Sequence, residues 1–231
     1  MYAVSDILSL LLLLLLGISG EGQASPVSPR PNHLDARQST PTTGKYCNPS
    51  TSICYLEYSW GPTIPVYRVA IPDSASSGAP FQTLLQIVAP ASLGWAGFSW
   101  GGGMTLNPLT VVWPNGNTGV TVSSRWATGR TQPALYPSAT YRTLSASRNA
   151  THWTVETVCT GCSKWSGSGS GGLNPSGVNT FAWAVSKTAV AQPASTASSF
   201  SIHDDVGMFS ESLSLGKVPK ATFDAYVNGG R

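Results

Sequence analysis

The chain has 231 residues, enough for one domain of ordinary size with terminal segments beside it. Its 13 Lys and Arg residues are scattered among 10 acidic residues, and the formal net charge is only +3. Because nucleic acids are bound by clustered positive charge, this pattern argues against DNA or RNA as a partner.

Residues 1–24 are predicted to be a secretory signal peptide. Residues 8–16 are nearly all leucine, and this run is too short to span a bilayer, which takes about 20 residues. Small residues such as Gly20 and Ala24 follow and favour cleavage there. The segment before the leucines departs from the usual pattern because it has no Lys or Arg and contains Asp6. We expect a secreted, extracellular protein that is not held in a membrane.

Residues 25–44 are predicted to be a flexible leader because they are rich in Pro, Ser, Thr and Gln, and the domain is predicted to cover residues 45–231. From Tyr46 onward, short runs rich in Val, Ile, Thr, Tyr and Trp alternate with Gly, Pro, Asn and Ser, which is typical of an all-β sandwich or barrel. The runs are 53–60, 66–71, 81–88, 95–100, 109–113, 120–126, 139–144, 152–158 and 178–185. A Pro-Asn-Gly turn signal lies at 114–116, and residues 221–227 are a candidate helix.

Four cysteines form two close pairs along the chain, Cys47 with Cys54 and Cys159 with Cys162. In an exported protein an even number of cysteines predicts disulfides, and three pairings are possible, of which the local one closes two short loops. Zinc is disfavoured because the chain has only one CxxC and carries an export signal. A thioredoxin-like redox site at 159–162 is disfavoured because no βαβ pattern surrounds it.

Histidine and methionine are scarce, with three of each in the chain. The ones that fall within the predicted domain are Met104, His152, His203 and Met208. Met104 ends a run of three glycines, which would let a flat cofactor approach the backbone; the alternative is a methionine that fills the core. His203 precedes Asp204 and Asp205, so it is either a metal-binding imidazole with a neighbouring acceptor or a surface histidine paired with acidic residues.

Two further motifs, a glycosylation sequon and a Gly-x-Ser-x-Gly pattern, are not interpreted as catalytic sites. The sequon at 149–151 predicts glycosylation of Asn149, and His152 directly after it is interpreted as a surface residue. The Gly-x-Ser-x-Gly pattern at 97–101 matches a hydrolase nucleophile elbow, but more glycines follow it instead of a helix. Between Ser99 and His203 the only acidic residue is Glu156, so a serine hydrolase is disfavoured.

Several motifs taken together resemble the cytochrome domain of fungal cellobiose dehydrogenases, over roughly residues 46 to 228. The motifs are Gly102-Gly103-Met104, Val112-Trp113-Pro114-Asn115-Gly116-Asn117, Ser123-Ser124-Arg125-Trp126-Ala127-Thr128-Gly129, Thr151-His152-Trp153, Cys159-Thr160-Gly161-Cys162-Ser163-Lys164-Trp165, Ala182-Trp183-Ala184 and Phe200-Ser201-x-His203-x-Asp205-x-Gly207-x-Phe209. Each is unspecific alone, and their order and spacing make the resemblance specific.

This resemblance implies an immunoglobulin-like β-sandwich of the DOMON type with a haem pocket at one end. It implies haem b with Met104 and His203 as axial ligands, since these residues fall on the two ligand positions of the family motifs. It also implies a disulfide between Cys159 and Cys162. Where the family has a tyrosine that reaches a haem propionate, this chain has Arg130, which we expect to pair with the propionate carboxylate.

The function implied by the resemblance is that of a carrier of single electrons, because two axial ligands leave no open position on the iron for a substrate. By analogy, the donor is an extracellular flavin dehydrogenase, and the acceptors are copper polysaccharide monooxygenases, quinones or ferric complexes. We expect a monomer without a substrate site of its own. The sequence ends at Arg231 without a flavin dehydrogenase domain after the cytochrome domain. The protein is therefore expected to be a stand-alone cytochrome or part of a longer gene product.

A second function class stays open at this point. A haem-free β-sandwich that binds cell-wall carbohydrate would use surface tryptophans to stack on sugar rings. The two classes differ in colour, because only a haem protein absorbs in the Soret region.

Overall fold

The computed structural model describes residues 41–229, except for residues 118, 167, 168 and 170. The predicted signal peptide and nearly all of the predicted leader therefore lie outside the described residues. The elements are β1 (Thr42–Cys47), β2 (Cys54–Ser59), β3 (Val66–Pro72), β4 (Thr83–Pro90), β5 (Trp95–Ser99), β6 (Leu109–Asn115), β7 (Gly119–Trp126), β8 (Ala134–Leu135), β9 (Thr140–Arg148), β10 (His152–Thr160), β11 (Lys164–Trp165), β12 (Gly171–Gly172), β13 (Val178–Ser186), β14 (Asp205–Ser212), a 3-10 helix (Leu213–Gly216), β15 (Lys217–Val218) and α1 (Lys220–Asn228).

Two largely antiparallel sheets pack face to face, which confirms the predicted sandwich. The first sheet has the order β1-β2-β3-β4-β10-β9, with β15 added in parallel to β3. The second has the order β14-β13-β5-β6-β7-β8. Strands β11 and β12 form a separate short hairpin. Alternation along the strands sends every second side chain into the space between the sheets.

Aromatic rings fill the centre of the sandwich. The rings of Tyr58 and Phe209 stack with centroids 4.1 Å apart, and those of Phe98 and Phe181 stack at 5.3 Å. The indole of Trp183 donates a hydrogen bond to the Tyr58 hydroxyl at 3.2 Å, which satisfies a polar atom inside the core. Buried rings of this size contribute roughly 3–5 kcal/mol each relative to alanine. The core therefore joins β2 of the first sheet to β5, β13 and β14 of the second.

Every predicted run corresponds to a strand, and α1 covers the predicted helix. Two longer strands were not predicted. Strand β1 begins at Thr42, inside the last residues of the predicted leader, and β14 overlaps the motif around His203, which predicts no strand. Both are edge strands with mostly exposed side chains, so neither carries the apolar alternation that reveals a half-buried strand.

Both disulfides are local. Cys47 and Cys54 are paired across β1 and β2 with their Cα atoms 4.0 Å apart, and Cys159 and Cys162 close the end of β10 with Cα atoms 5.9 Å apart. This is the local pairing among the three that the sequence allows. The first disulfide ties the polar edge strand β1 to the sheet.

The outer face of the first sheet is covered by α1. Phe223 and Val227 of this helix are buried against the sheet, and the Tyr226 hydroxyl donates to Glu156 at 2.7 Å. The Tyr55 hydroxyl also donates to the Glu156 carboxylate. Among the described residues, no helix is long and apolar enough to cross a membrane.

Candidate functional site

The outer face of the second sheet has a strip of very small side chains. Phe98 pairs with Trp183 across β5 and β13, and the Phe98 ring packs on Tyr67 of the opposite sheet, so these positions face the core. The alternate positions face outward. They include Gly97 on β5 and Ala182 and Ala184 on β13, which we call the floor. The floor therefore consists of small side chains, and a Cβ added at Gly97 would lie 3.4 Å from the Trp95 ring.

The segment 187–204, between β13 and β14, covers one half of this outer face. The indole of Trp113 donates to the Pro193 carbonyl at 2.9 Å, and the Phe200 ring lies 5.0 Å from the Trp95 ring and 6.2 Å from the Trp113 ring. Val190 is buried in the same cluster. The half of the face formed by β6 and β7 is therefore closed, and the half formed by β13 and β14 is open.

The open half is bordered by exposed apolar side chains. On β14, Val206 pairs with Ala184 and is 51% exposed, and Met208 pairs with Ala182 and is 68% exposed. Other exposed large hydrophobic side chains in the adjoining loops are Met104, Leu106 and Ile202. Exposed apolar side chains on and around this half of the face make it a candidate binding surface.

Met104 lies at one end of the floor, in the loop 100–108. Ser99 faces outward because it pairs with Ala182, and its hydroxyl lies 2.6 Å from the Gly103 carbonyl. The Asn107 side chain donates to the same carbonyl at 3.0 Å. These bonds hold the residue before Met104 against the end of β5, and Met104 itself is 37% exposed. The Ser99 hydroxyl thus closes this loop, which is a structural role.

His203 lies at the opposite end of the floor. Strands β5 and β14 both pair antiparallel with β13, so they run in the same direction. Strand β5 ends at Ser99, opposite Ala182, whereas β14 begins at Asp205, opposite Val185. These two positions on β13 are three residues apart, or about 10 Å at the rise of a strand. The loops that carry Met104 and His203 therefore approach one face from its two ends.

Asp204 fixes the chain beside His203. Its backbone N–H donates to the Val185 carbonyl at 2.8 Å, and its carboxylate accepts from the Lys187 N–H at 2.7 Å and the Ser186 hydroxyl at 3.1 Å. The Lys187 N–H is the main reason that the pKa of Asp204 lies below its ordinary value. Within the described part of the chain, His203 has no hydrogen-bond partner, so both ring nitrogens are available.

The remaining predicted site residues lie in three places. Arg130 is exposed in the loop after β7 and makes no hydrogen bond or ion pair with a described residue; this loop contacts the Met104 loop through the Leu106 N–H and the Ala127 carbonyl at 2.9 Å. His152 begins β10 in the first sheet and is exposed. Asn149 is exposed in the turn between β9 and β10. The structure thus groups Arg130 with Met104 and separates His152 from both.

The aromatic side chains before Met104 divide between the two faces. Trp95 lies in the outward cluster against Phe200, whereas Phe98 and Trp100 pack on each other in the core at 5.0 Å. Trp95 is therefore the one of these three that belongs to the face with the floor.

A buried arginine was missed by sequence reasoning. Arg125 on β7 is only 3% exposed, and its guanidinium bonds to the segment that carries His203. The alternation of Thr121, Ser123 and Arg125 along β7 predicts that these polar residues face outward. It does not show that segment 187–204 closes over them.

The residues of this face fit a porphyrin. A floor without bulky side chains and an apolar border suit its flat ring, and the loops that carry a thioether and an imidazole lie at the two ends of the floor. Elsewhere, the described residues contain no group of three or more His, Cys, Asp or Glu side chains placed to hold a metal ion.

Residues 46–225 match the family described as the cytochrome domain of cellobiose dehydrogenase. The chain belongs to this family. The match covers most of the described residues and includes Met104, Arg130 and His203. It confirms the resemblance drawn from the motifs, and it supports an electron-transfer role and a haem-binding family.

Relatives of this cytochrome-domain family agree in sequence and fold. A pyrroloquinoline quinone-dependent pyranose dehydrogenase from Coprinopsis cinerea is 32% identical over 174 residues, which are 73% of this chain and 22% of that protein. The chain thus spans about a fifth of that relative's length. The cytochrome b domain of pyranose dehydrogenase from Coprinopsis cinerea has a TM-score of 0.72 at 25% identity, covering 81% of this chain and 95% of the other. The cytochrome domain of Myriococcum thermophilum cellobiose dehydrogenase has a TM-score of 0.73 at 25% identity, covering 82% and 96%.

Gly102 is expected to be required for the loop that presents Met104. It has φ +78°, and a Cβ there would lie 2.7 Å from Thr180 Cγ2, so Gly102→Ala should lower the free energy of unfolding by about 1–3 kcal/mol. Gly103→Ala is the matched control, because a Cβ at that position meets no atom within 4 Å. Chemical denaturation measures both, and equal losses in the two variants would contradict this account of the loop.

Proposed function

We propose that this chain is a haem b cytochrome domain that carries single electrons, and that Met104 and His203 would hold the haem iron. The observation that supports it most directly is the placement of these two residues at opposite ends of the floor of Gly97, Ala182 and Ala184. The name of one similar structure, the cytochrome b domain of a pyranose dehydrogenase, supports the haem type.

The two ligand residues come from loops that are fixed in different ways. The Met104 loop is held by neutral hydrogen bonds from Ser99 and Asn107, and the His203 segment is held by the Asp204 carboxylate. When bound, haem supplies a one-electron couple between ferric and ferrous iron, and a thioether ligand favours the reduced state. Loops that are fixed at both ends of the floor would hold the Met104 sulfur and the His203 nitrogen in place while the haem gains or loses an electron. Such a site suits rapid electron transfer without substrate binding.

Arg130 is proposed to bind a haem propionate. It lies in a loop that contacts the Met104 loop, and its guanidinium has no partner among the described residues. A guanidinium can bind a carboxylate with two parallel hydrogen bonds, which gives both charge and orientation. Arg130 would thus replace the tyrosine of the family motif with an ionic contact.

The proposed partners are other redox proteins of the cell exterior. A relative combines a similar segment with a sugar dehydrogenase that uses pyrroloquinoline quinone, so we propose a flavin or quinone dehydrogenase as the electron donor. Copper polysaccharide monooxygenases, small quinones or ferric complexes are the proposed acceptors. The exposed border of Ile202 and Val206 beside His203 would let a partner come close to the iron.

The carbohydrate-binding alternative has less support. Sugar-binding surfaces of β-sandwiches use exposed aromatic rings, and Trp60 is the one exposed tryptophan among the described residues. The Trp60 ring lies edge-on to buried Trp183 at 5.8 Å, so part of it is already covered. No row of exposed tryptophans is present in the described part of the chain.

The absorption spectrum tests the ligand assignment. The purified protein should show a Soret band that shifts on reduction with dithionite, and Met104→Ala and His203→Ala should each lose the low-spin spectrum because the iron loses one ligand. The matched controls are Met208→Ala, an exposed methionine of the same face, and His152→Ala in the other sheet. A colourless wild type, or a Met208→Ala spectrum as altered as that of Met104→Ala, would refute the assignment.

The floor is tested by adding bulk to it. A leucine in place of Ala182 projects outward and avoids the buried cluster around Trp95, against which Ala184 packs, so Ala182→Leu should fold but bind haem less tightly, since overpacking a contact costs about 1–3 kcal/mol. Val178→Leu is the control, because it lies on the same strand and face but beyond the floor. Haem content per mole of protein and far-ultraviolet circular dichroism are measured together. Equal haem affinity in the two variants would show that the floor is not the contact surface.

We also propose that the protein is exported, glycosylated at Asn149 and monomeric. Two disulfides and an exposed sequon suit the cell exterior, and the Asn149 side-chain oxygen accepts from the N–H groups of Thr151 and His152 while its amide nitrogen has no described partner. In a fungal host, mass spectrometry of the medium should find a mature chain that begins near residue 25 and loses a glycan in Asn149→Gln. Asn117→Gln, an exposed asparagine outside any sequon, should keep the glycan. A chain retained in the cell with its first 24 residues attached would contradict export.

A further inference from the structure

The segment that carries His203 has little secondary structure of its own. Residues 187–204 lie between β13 and β14 and contain neither helix nor strand. A segment of this length needs side-chain contacts to hold one conformation. The precision with which His203 is placed therefore depends on what fixes this segment to the sheet.

The contacts come from a row of polar side chains on the outer face of β7. The Thr121 hydroxyl donates to the Pro193 carbonyl at 2.5 Å, and the Ser123 hydroxyl donates to the Thr196 carbonyl at 2.7 Å. These residues are two positions apart on the strand, so their side chains point to the same face. Arg125 is the next member of the row.

Arg125 makes more contacts to the segment than the other two. Its Nη2 donates to the carbonyls of Thr196 and Ser198, both at 2.7 Å. Its guanidinium carbon lies 5.3 Å from the centroid of the Phe200 ring, within the range of a cation–π contact. Phe200 precedes His203 by three residues. Arg125 thus reaches the segment at three positions on the approach to the imidazole.

Arg125 also ties this segment to the neighbouring loop. Its Nη1 donates to the Pro133 carbonyl at 3.0 Å, at the end of the loop that carries Arg130, and its Nε donates to Ser123 Oγ at 2.6 Å. The proposed propionate-binding loop and the proposed ligand segment therefore meet at one guanidinium.

The charge of Arg125 is buried without an anionic partner. The ion pairs among the described residues are Arg68 with Glu57 and Lys220 with Asp224, and neither includes Arg125. Burial lowers the pKa of Arg125 from its ordinary value. A buried guanidinium without a carboxylate partner needs other acceptors for its N–H groups, and backbone carbonyls supply them here. Breaking these hydrogen bonds therefore disturbs both the arginine and segment 187–204.

We propose that Arg125 is a positioning residue that holds segment 187–204 against β7 and thereby places the His203 imidazole for iron ligation. This inference rests on the proposed function, since it concerns the histidine ligand of the same site. Arg125 acts through the carbonyls of Thr196 and Ser198, and it acts on the ligand geometry rather than on the stability of the sandwich alone.

Haem-loaded Arg125→Gln tests the inference. A glutamine side chain is shorter and uncharged, so it cannot reach both carbonyls, and the ferric spectrum should gain a high-spin component from iron that has lost His203. Added imidazole should restore the low-spin spectrum of the variant. The concentration needed should be at least about tenfold lower than the concentration that changes the wild-type spectrum, because the variant lacks the two charge-assisted hydrogen bonds that oppose release of the segment. Limited proteolysis should cut segment 187–204 faster in this variant. Arg125→Lys keeps the charge and one donor group, so its high-spin component and its imidazole response should lie between those of Arg125→Gln and the wild type.

Arg68→Gln is the control for a general loss of stability. Arg68 is a largely buried arginine of the first sheet that bonds to Glu57 and Gln86, both at 2.6 Å, so its loss should weaken the fold without changing the spectrum. If Arg125→Gln does not fold, Ser123→Ala removes the hydroxyl that bonds Arg125 and Thr196, and it should shift the imidazole response in the same direction.

The outcomes separate the inference from the function on which it rests. A folded Arg125→Gln with the wild-type spectrum and imidazole response would overturn the role of Arg125 and leave the haem assignment standing. The same spectral change in Arg68→Gln would also overturn it, since any loss of stability would then suffice. A wild-type protein that binds no haem would overturn the proposed function itself.

Discussion

The register of β13 is the constraint on which the rest of this domain depends. Its odd-numbered central residues, Phe181 and Trp183, point into the aromatic core, and the alanines between them form the floor on the other side. Gly207 on β14 shows how closely this register is matched, because a Cβ there would lie 2.5 Å from the Trp183 ring. A slip of one residue would put the aromatic rings outside and the alanines inside. The core and the candidate site are therefore two consequences of one strand pairing.

The two outer faces of the sandwich differ because they are covered by different kinds of structure. On the first sheet, α1 covers the face with apolar side chains and the buried Glu156 accepts from two tyrosine hydroxyls. On the second sheet, an irregular segment covers β6 and β7 and is bound through its carbonyls. That segment ends before β14, so the strip over β13 and β14 stays open. The candidate site lies on the part of this face that the segment leaves uncovered.

The direction of the strands decides where the two candidate ligands lie. Both β5 and β14 run antiparallel to β13. The loop after the end of β5 and the segment before the start of β14 therefore lie at opposite ends of the face. Each end is fixed by short polar side chains close to the sheet, Ser99 and Asn107 at one end and Asp204 at the other. The residues next to Met104 and His203 are thus hydrogen-bonded to the sheet, although both residues lie outside the strands.

The sequence by itself determined the fold class and most of the strands, and a family resemblance in its motifs named Met104 and His203 as candidate ligands. Alternating apolar residues mark a half-buried strand wherever it lies, and the glycines before Met104 and the motif around His203 are continuous stretches of chain. Strands β1 and β14 were missed because exposed edge strands lack that alternation. Only the tertiary structure decided that Met104 and His203 flank one floor, and that Arg125 is buried beneath the segment leading to His203. These facts depend on pairing between residues far apart in the chain. Local periodicity predicts the face of the strand on which a side chain lies, but it does not predict which other segment covers that face.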